Sequence, residues 1–206
     1  MELDYYESPL VIVGGWNPHI LLSDEWINSY FINPLGELGI EIEEPQRFSH
    51  QGIGISLNNV DFILQPNKIE FRLRGSKDFS LLQTYAFVIC DCLPATPVTA
   101  YGVNIHFKET GINSVLYELL GSIREYSSEP LFYEQYNYCM TSDKIPLHIG
   151  LDINNQENVS GVRFNFEFDI DSLAQFKSLI QKHSIESLKA KTIRLLSDMY
   201  NINAEG

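Results

Sequence analysis

Apolar and polar residues alternate along several stretches of the chain. Residues 40–74 contain three such alternating runs. Residues 161–169 contain one more, whose apolar positions are Val162, Phe164, Phe166 and Phe168. A period of two is typical of antiparallel strands with one buried face. We therefore predict strands within these stretches, with turns at 58–59 and 65–67. Further strands are predicted at residues 9–13, 98–107, 131–140 and 145–153.

Apolar residues three and four positions apart predict helices. One helix should run from Lys77 to Cys92 and another over residues 112–123, with Val115, Leu116, Leu119 and Ile123 in the core. Ser23 is a good N-cap for a short helix that we expect to stop before Pro34. Asp171 and Ser172 should cap a C-terminal helix that breaks near Ser184 and ends near Tyr200.

The order of these elements indicates the fold class. Strands follow one another in residues 40–74 and 131–169 without long helices between them, which is the wrong order for βαβ repeats. No Pro, Gly or Ser-rich linker divides the chain. We predict a single α+β domain over residues 1–206. Its large, mostly antiparallel sheet should have roughly six to nine strands, with about four helices packed mainly on one face.

Two segments share the order strand, cap, helix. They are Ile69–Ser76 and Phe164–Asp171. This similarity indicates either a duplicated β-β-α unit or a coincidence. The strand around Tyr101–Phe107, the strand end at Phe166–Asp171 and the C-terminal helix with Leu179 and His183 resemble an uncharacterised, sporadically distributed bacterial α+β family of unknown function. The resemblance covers roughly the second half of the chain, and it implies the fold class but no activity.

Composition and charge narrow the classes of function. The chain has 206 residues, 44% of them hydrophobic, and a formal net charge of −13. This charge argues against nucleic-acid binding and against docking on anionic membranes. The acidic N-terminus is unlike a signal peptide, and the apolar runs are too short to span a bilayer. We expect a cytoplasmic protein whose three cysteines are reduced.

The polar face of the late strands could carry catalysis. His106 lies on one strand, His148 on a second and Glu167 on a third, and neighbouring strands would bring them together. Such a set could bind a divalent metal or perform acid–base chemistry. The other interpretation is an ordinary solvated face. No nucleotide-binding motif follows Gly14-Gly15. Thiols two residues apart on a helix, as in Cys90-Asp91-Cys92, point about 200° apart, so these two cannot hold one metal ion together. We expect no cofactor and no catalytic metal.

Other residues indicate contact surfaces. The strand with Tyr133, Tyr136 and Tyr138 has aromatic residues at both odd and even positions, so it needs cover on two faces, from helices or from a partner. Arg72 and Arg74 form a local basic patch that could receive an acidic partner or phosphate, or could balance nearby carboxylates. The aromatic cluster Trp16, Trp26, Tyr30 and Phe31 is either a core anchor or an interface.

Two functions remain open from the sequence. The first is a non-enzymatic cytosolic interaction or regulatory protein: a binding, inhibitor or immunity/antitoxin-like subunit with a protein partner or self-association. The alternative is a hydrolase or metal-dependent enzyme that uses the His and carboxylate face. The positions of His106 and His148 discriminate between them, because the enzyme needs the two imidazoles close together in a cleft.

Overall fold

Ten strands form one antiparallel sheet in the part of the chain that the structure describes. This computed structural model describes residues 1–3, 10–21, 23–41, 43–48, 53–74, 78–111, 114–116, 133–142, 145–154 and 157–204. The strands are β1 (Glu2–Leu3), β2 (Leu10–Gly14), β3 (Gln46–Phe48), β4 (Ile53–Leu57), β5 (Val60–Gln65), β6 (Lys68–Leu73), β7 (Val98–Thr110), β8 (Tyr133–Ser142), β9 (Ile145–Asn154) and β10 (Val159–Asp169).

The helices lie before, between and after these groups of strands. They are α1 (Pro18–Leu21), α2 (Asp24–Trp26), a π-helical turn (Ile27–Ile32), α3 (Asn33–Glu37), α4 (Ser80–Cys92), α5 (Leu173–Lys182) and α6 (Ile185–Tyr200). Residues 114–116 are also helical.

The strand order across the sheet is β3-β4-β5-β6-β2-β7-β10-β9-β8, and β1 pairs with β7. Every strand pairing among the described residues is antiparallel. The predicted α+β class and the large antiparallel sheet are therefore confirmed. The nine strands in the row match the upper end of the expected number, and the two-residue β1 adds a tenth.

The hydrophobic core lies between one face of the sheet and the helices. Tyr101 of β7 stacks on Phe168 of β10 with ring centroids 4.4 Å apart, and Phe176 of α5 meets the Tyr101 ring edge-on at 5.0 Å. In the other half of the sheet, Phe31 of the π-helical turn contacts Phe62 of β5 at 5.5 Å. Helices from both halves of the chain thus cover the same face. We call the opposite side the polar face; it carries Val11, Glu70, Gly102, Asn104, Asn165 and Glu167.

The predicted end of the first helical segment is wrong. The Ser23 hydroxyl caps α2 by accepting the Trp26 amide at 3.2 Å, as expected, but the helical path continues past Pro34 to Glu37. Pro34 lies in the first turn of α3, where the missing amide hydrogen of a proline costs little, so the helical path can continue through it. The Cys92 thiol of α4 donates to the Tyr30 carbonyl at 2.9 Å and so contacts the π-helical turn.

The other helix predictions fit the described residues. α4 ends at Cys92, and serines 172 and 184 cap α5 and α6, so the C-terminal helix breaks where the sequence indicates. Leu116 is fully buried and Val115 packs against the core. Leu119 and Ile123, the other two predicted core residues of that helix, lie outside the residues that the structure describes.

The topology repeats the same arrangement in the two halves of the chain. In each half a strand and a helical segment precede a meander and a helix, and the first strand pairs with the last strand of the meander. The meander has four strands, β3 to β6, in the first half and three, β8 to β10, in the second. β2 and β7, the two first strands, then pair with each other. A local twofold axis between Leu10 and Val103 relates Phe71 of β6 to Phe166 of β10. This repeat is longer than the β-β-α unit indicated by the sequence.

Candidate functional site

Polar residues form rows across the polar face of the second half of the sheet. The strand register places Asn104 of β7 opposite Asn165 of β10, and Asn165 opposite His148 of β9. His106 of β7 lies opposite Arg163 in the next row. The polar residues that the sequence places on these three strands therefore do share one face, because β7, β10 and β9 are consecutive in the sheet.

His148 and Glu167 form a direct pair on this face. The His148 Nε2 atom lies 3.1 Å from the Glu167 Oε2 atom, across a diagonal between β9 and β10. Both side chains are half exposed, 47% and 50% respectively. A carboxylate in this position fixes the orientation of the imidazole ring. The pair has the chemistry of a general acid–base dyad, although it lies on an open surface.

His106 does not join that pair. β10 separates β7 from β9, and His106 and His148 are also offset by two residues along the strands, so their backbones lie about 12 Å apart. His106 is also buried, with 6% of its surface exposed. Among the described residues no group of three or more His, Cys, Asp or Glu side chains is arranged to hold a metal ion. The predicted three-residue set is therefore divided into a dyad and a separate buried imidazole.

Asn165 is a polar residue of this face that the sequence did not single out. Its Oδ1 atom is buried and has no hydrogen-bond partner among the described residues. The atom lies 3.5 Å from the position that a Cβ on Gly102 would take. The glycine therefore leaves a shallow recess beside this carbonyl oxygen. Alternation places Asn165 on the face, but only the strand register shows which glycine lies next to it.

Arg72 and Arg74 lie against carboxylates of the same chain. Glu70, which is buried, receives Lys68 Nζ at 2.5 Å and Arg72 Nη2 at 2.7 Å. Burial opposes ionisation of Glu70, but the hydrogen bonds and charges of these two cations outweigh it and lower the pKa of the carboxyl. Arg74 Nε lies 3.8 Å from Asp61 Oδ1. The local basic patch thus balances neighbouring acidic groups.

The tyrosine strand lies at one end of the sheet. The backbone of β8 pairs with β9 over its whole length. The side chains of Tyr133, Tyr136 and Tyr138 lie outside the part that the structure describes. The prediction that these residues form an interface therefore stays a prediction.

The N-terminal helical segment carries an uneven distribution of charge. Residues 1–46 contain nine Asp and Glu residues and neither Lys nor Arg. Six of these carboxylates, together with three large apolar side chains, are exposed on residues 17–44, which we call the acidic helical surface. The exposed residues are Ile20, Asp24, Glu25, Tyr30, Glu37, Leu38, Glu41, Glu43 and Glu44.

A hollow of about 920 Å³ opens on this surface. Its lining combines aliphatic, glycine and acidic residues: Ile32, Asn33, Gly36, Glu37, Gly39, Ile40 and Glu41. Asn58, in the turn between β4 and β5, accepts the Glu43 amide at 2.6 Å and donates to the Glu41 carbonyl. These bonds attach the acidic segment to the edge of the sheet.

The aromatic cluster near this surface divides between core and exterior. Trp16, Trp26 and Phe31 are buried in the hydrophobic core, whereas Tyr30 is 51% exposed. Tyr30 therefore belongs to the acidic helical surface, together with Ile20 and Leu38, which are 53% and 62% exposed. The signal that could have revealed this surface is the run of 46 residues without Lys or Arg.

Comparisons with models of protein families, with curated proteins and with solved structures found no match for this chain. Within the described residues, the helices are too short or too polar for any of them to cross a membrane.

Proposed function

We propose that this chain is a non-enzymatic, cytosolic interaction protein that binds a basic protein partner through the acidic helical surface. The observation that carries the proposal is the accumulation of exposed carboxylates and apolar side chains on residues 17–44, in a chain of net charge −13. An inhibitor or an immunity/antitoxin-like subunit is a protein of this kind. The resemblance to a bacterial α+β family remains a prediction and is not needed for the proposal.

Two physical effects support a basic partner. Clustered charge of one sign attracts an oppositely charged protein and raises its association rate, and salt screens this attraction. The apolar side chains of Ile20, Tyr30 and Leu38 provide surface that a partner removes from water, which supplies affinity that steering alone does not. An interface core that is apolar and surrounded by charged residues is the usual anatomy of a specific contact.

The test compares wild-type protein with a charge-reversed variant. The variant Glu37→Lys/Glu41→Lys/Glu43→Lys changes the surface, and Glu157→Lys/Glu186→Lys/Asp198→Lys changes the same number of exposed carboxylates elsewhere. Partners from a lysate of the source organism are identified by mass spectrometry, purified and measured for association rate. We expect a basic protein whose association rate falls at least about tenfold with the first variant.

The control variant should bind that partner within about threefold of wild type. The association rate of the wild type should also fall between 50 and 500 mM NaCl, by roughly an order of magnitude. A purified partner that binds both variants equally would contradict the proposed surface. If no purified protein binds the wild type with a dissociation constant below about 10 μM, the proposed function itself is wrong.

A second function is favoured by one contact, the 3.1 Å pair of His148 Nε2 and Glu167 Oε2. A hydrolase could use this dyad for acid–base chemistry, with the Asn165 carbonyl oxygen nearby as an acceptor. It is the weaker candidate because His106 lies two strands away and the dyad is exposed. A screen of ester and phosphoester substrates tests it: activity that His148→Ala and Glu167→Gln both abolish would favour the enzyme.

A further inference from the structure

The two ends of the sheet differ in how they are protected. At one end, β3 has three residues, contains Arg47 and follows Pro45. At the other end, β8 has ten residues, Tyr133–Ser142, with no Pro, Lys or Arg and with Glu134 as its one charged residue. Short length, charge and proline are the features that prevent edge strands from pairing with other chains. β3 has all three of these protective features, whereas β8 has a single charged residue, Glu134.

β8 is also a regular strand. It pairs with β9 over ten consecutive residue pairs, from Tyr133 opposite Asn154 to Ser142 opposite Ile145, without a bulge or a shift in register. Among the described strands, β9 is its single partner. A long, unbroken strand at the end of a sheet presents a row of backbone N–H and C=O groups that match another extended strand.

We propose that β8 pairs antiparallel with β8 of a second copy of this chain, which forms a twofold-symmetric dimer with one continuous sheet. The molecule already contains a junction of this kind, because β2 and β7 join its two halves antiparallel about the local twofold axis. An antiparallel edge is complementary to itself, so a twofold dimer satisfies both copies at once.

The register of such a dimer is restricted. Residues directly opposite each other in an antiparallel pair point to the same face of the sheet. The helices of both copies therefore lie on the same side only if even-numbered residues of β8 face even-numbered residues of the second copy, as when Tyr138 faces Tyr138. In that register Glu134 lies opposite Ser142, and the two Glu134 backbones are roughly 27 Å apart along the strands. The strand's one charged residue therefore does not oppose pairing.

Two adjacent proline substitutions test the edge. Successive residues of a strand point their amides to opposite sides, so one of Asn137→Pro and Tyr138→Pro removes an outward donor and the other removes a donor to β9. Circular dichroism and thermal melting identify the variant that stays folded. The matched control places proline at two adjacent residues of the other edge strand, β3, as Gln46→Pro and Arg47→Pro. The variant of this pair that stays folded serves as the control.

Light scattering between 1 and 100 μM then measures mass. We expect the wild type and the β3 control to approach twice the chain mass of 23.6 kDa, and the folded β8 variant to keep the mass of one chain. Because each copy carries a charge of −13, 500 mM NaCl should increase the dimer fraction, whereas it weakens binding of a basic partner. Wild-type protein that stays monomeric at 100 μM in both salts overturns the proposal, as does a folded β8 variant that still dimerises.

If neither β8 proline variant folds, hydrogen exchange of the wild type decides. Backbone amides of β8 should exchange at least about tenfold more slowly at 100 μM than at 1 μM, while those of β3 should not change. Equal exchange of β8 at both concentrations would overturn the proposal. Partner binding by the folded β8 variant is measured separately, so failure of the dimer and failure of the proposed function are distinguishable.

Discussion

At the scale of single residues, Gly14 shows how closely two backbone segments meet. A Cβ atom at this position would lie 2.4 Å from the Pro97 carbonyl oxygen, and the Gly15 amide donates to the same oxygen at 2.9 Å. The two glycines at the end of β2 therefore allow the loop before β7 to pack closely against them. This packing accounts for the two glycines, which lack the rest of a phosphate-binding motif.

Replacing Gly14 should destabilise the protein. We expect Gly14→Ala to lower the free energy of unfolding by about 1–3 kcal/mol, because the backbone must move to relieve the clash. The control is Gly36→Ala in α3, where a Cβ would meet no atom within 4 Å. It should be neutral or gain up to about 1 kcal/mol from helix propensity. Urea denaturation measures both, and equal effects of the two substitutions would contradict the role of close packing.

Glu70 should make stability depend on acid pH. Its pKa is lowered from 4.5 in the folded protein, so its contribution is present above pH 4.5 and is lost as the pH falls through the lowered value. Glu70→Gln should lower the free energy of unfolding by about 1–3 kcal/mol at pH 7, because Arg72 loses a charged acceptor. Urea denaturation at pH 7 and pH 3 should show a smaller difference from wild type at the lower pH.

The exposed control Glu25→Gln should change stability by less than about 0.5 kcal/mol at pH 7. A Glu70→Gln effect as small as that of the control would mean that the ion pairs with Lys68 and Arg72 contribute little.

At the scale of the elements, the serine caps separate α5 from α6. The Ser184 hydroxyl accepts the Ser187 amide at 3.2 Å, and α5 ends just before it at Lys182. Ser184→Ala should lower the free energy of unfolding by about 1 kcal/mol, and Ser184→Asp should restore most of it. Ser178→Ala, on the exposed side of α5, is the control and should have no measurable loss. Thermal melting of the three variants checks the difference between cap and surface.

Local patterns in the sequence identify most elements. Alternation locates the strands of residues 159–169, and hydroxyl caps locate α5 and α6, because both signals lie within a few neighbouring residues. The π-helical turn is different. It contacts α4, where the Cys92 thiol donates to the carbonyl of Tyr30, 62 residues away in the chain. No local pattern contains that contact.

The candidate site shows the same division between local and long-range information. Alternation assigns His106, His148 and Glu167 to polar faces, and the register confirms that these faces coincide. The separation of the two imidazoles follows from the position of β10 between β7 and β9. Strand order is decided by packing across the whole sheet, so the sequence alone did not show which of the three residues would meet.

At the scale of the whole molecule, the local twofold axis relates two clusters of different chemistry. Glu70 and Arg72 of β6 occupy the positions that Asn165 and Glu167 occupy in β10. In the first half the carboxylate is buried among cations, and in the second half it is exposed beside His148. Residues at equivalent positions are apolar on the helix-covered face of both halves, whereas they differ in chemistry on the polar face. Surface chemistry is thus the part of this architecture that differs between its two halves.

The net charge of the whole chain should make its stability depend on salt. With nine Asp and Glu residues and neither Lys nor Arg in positions 1–46, repulsion between carboxylates opposes the folded state. Salt screens this repulsion, so the thermal midpoint should rise by roughly 2–4 °C between 10 and 200 mM NaCl, equivalent to about 1 kcal/mol. Glu41→Gln/Glu43→Gln/Glu44→Gln should melt higher than wild type at 10 mM NaCl and gain less from added salt.

The matched control for this prediction lies at the other end of the chain. Glu186 pairs with Lys189 in α6, with Oε2 and Nζ 3.1 Å apart. Glu186→Gln removes a favourable contact, so it should leave the salt-dependent rise in midpoint at least as large as in wild type. A wild-type midpoint that does not change with salt would show that the carboxylates are too widely spaced to repel one another. An unchanged salt gain in the triple variant would locate the repulsion outside residues 41–44.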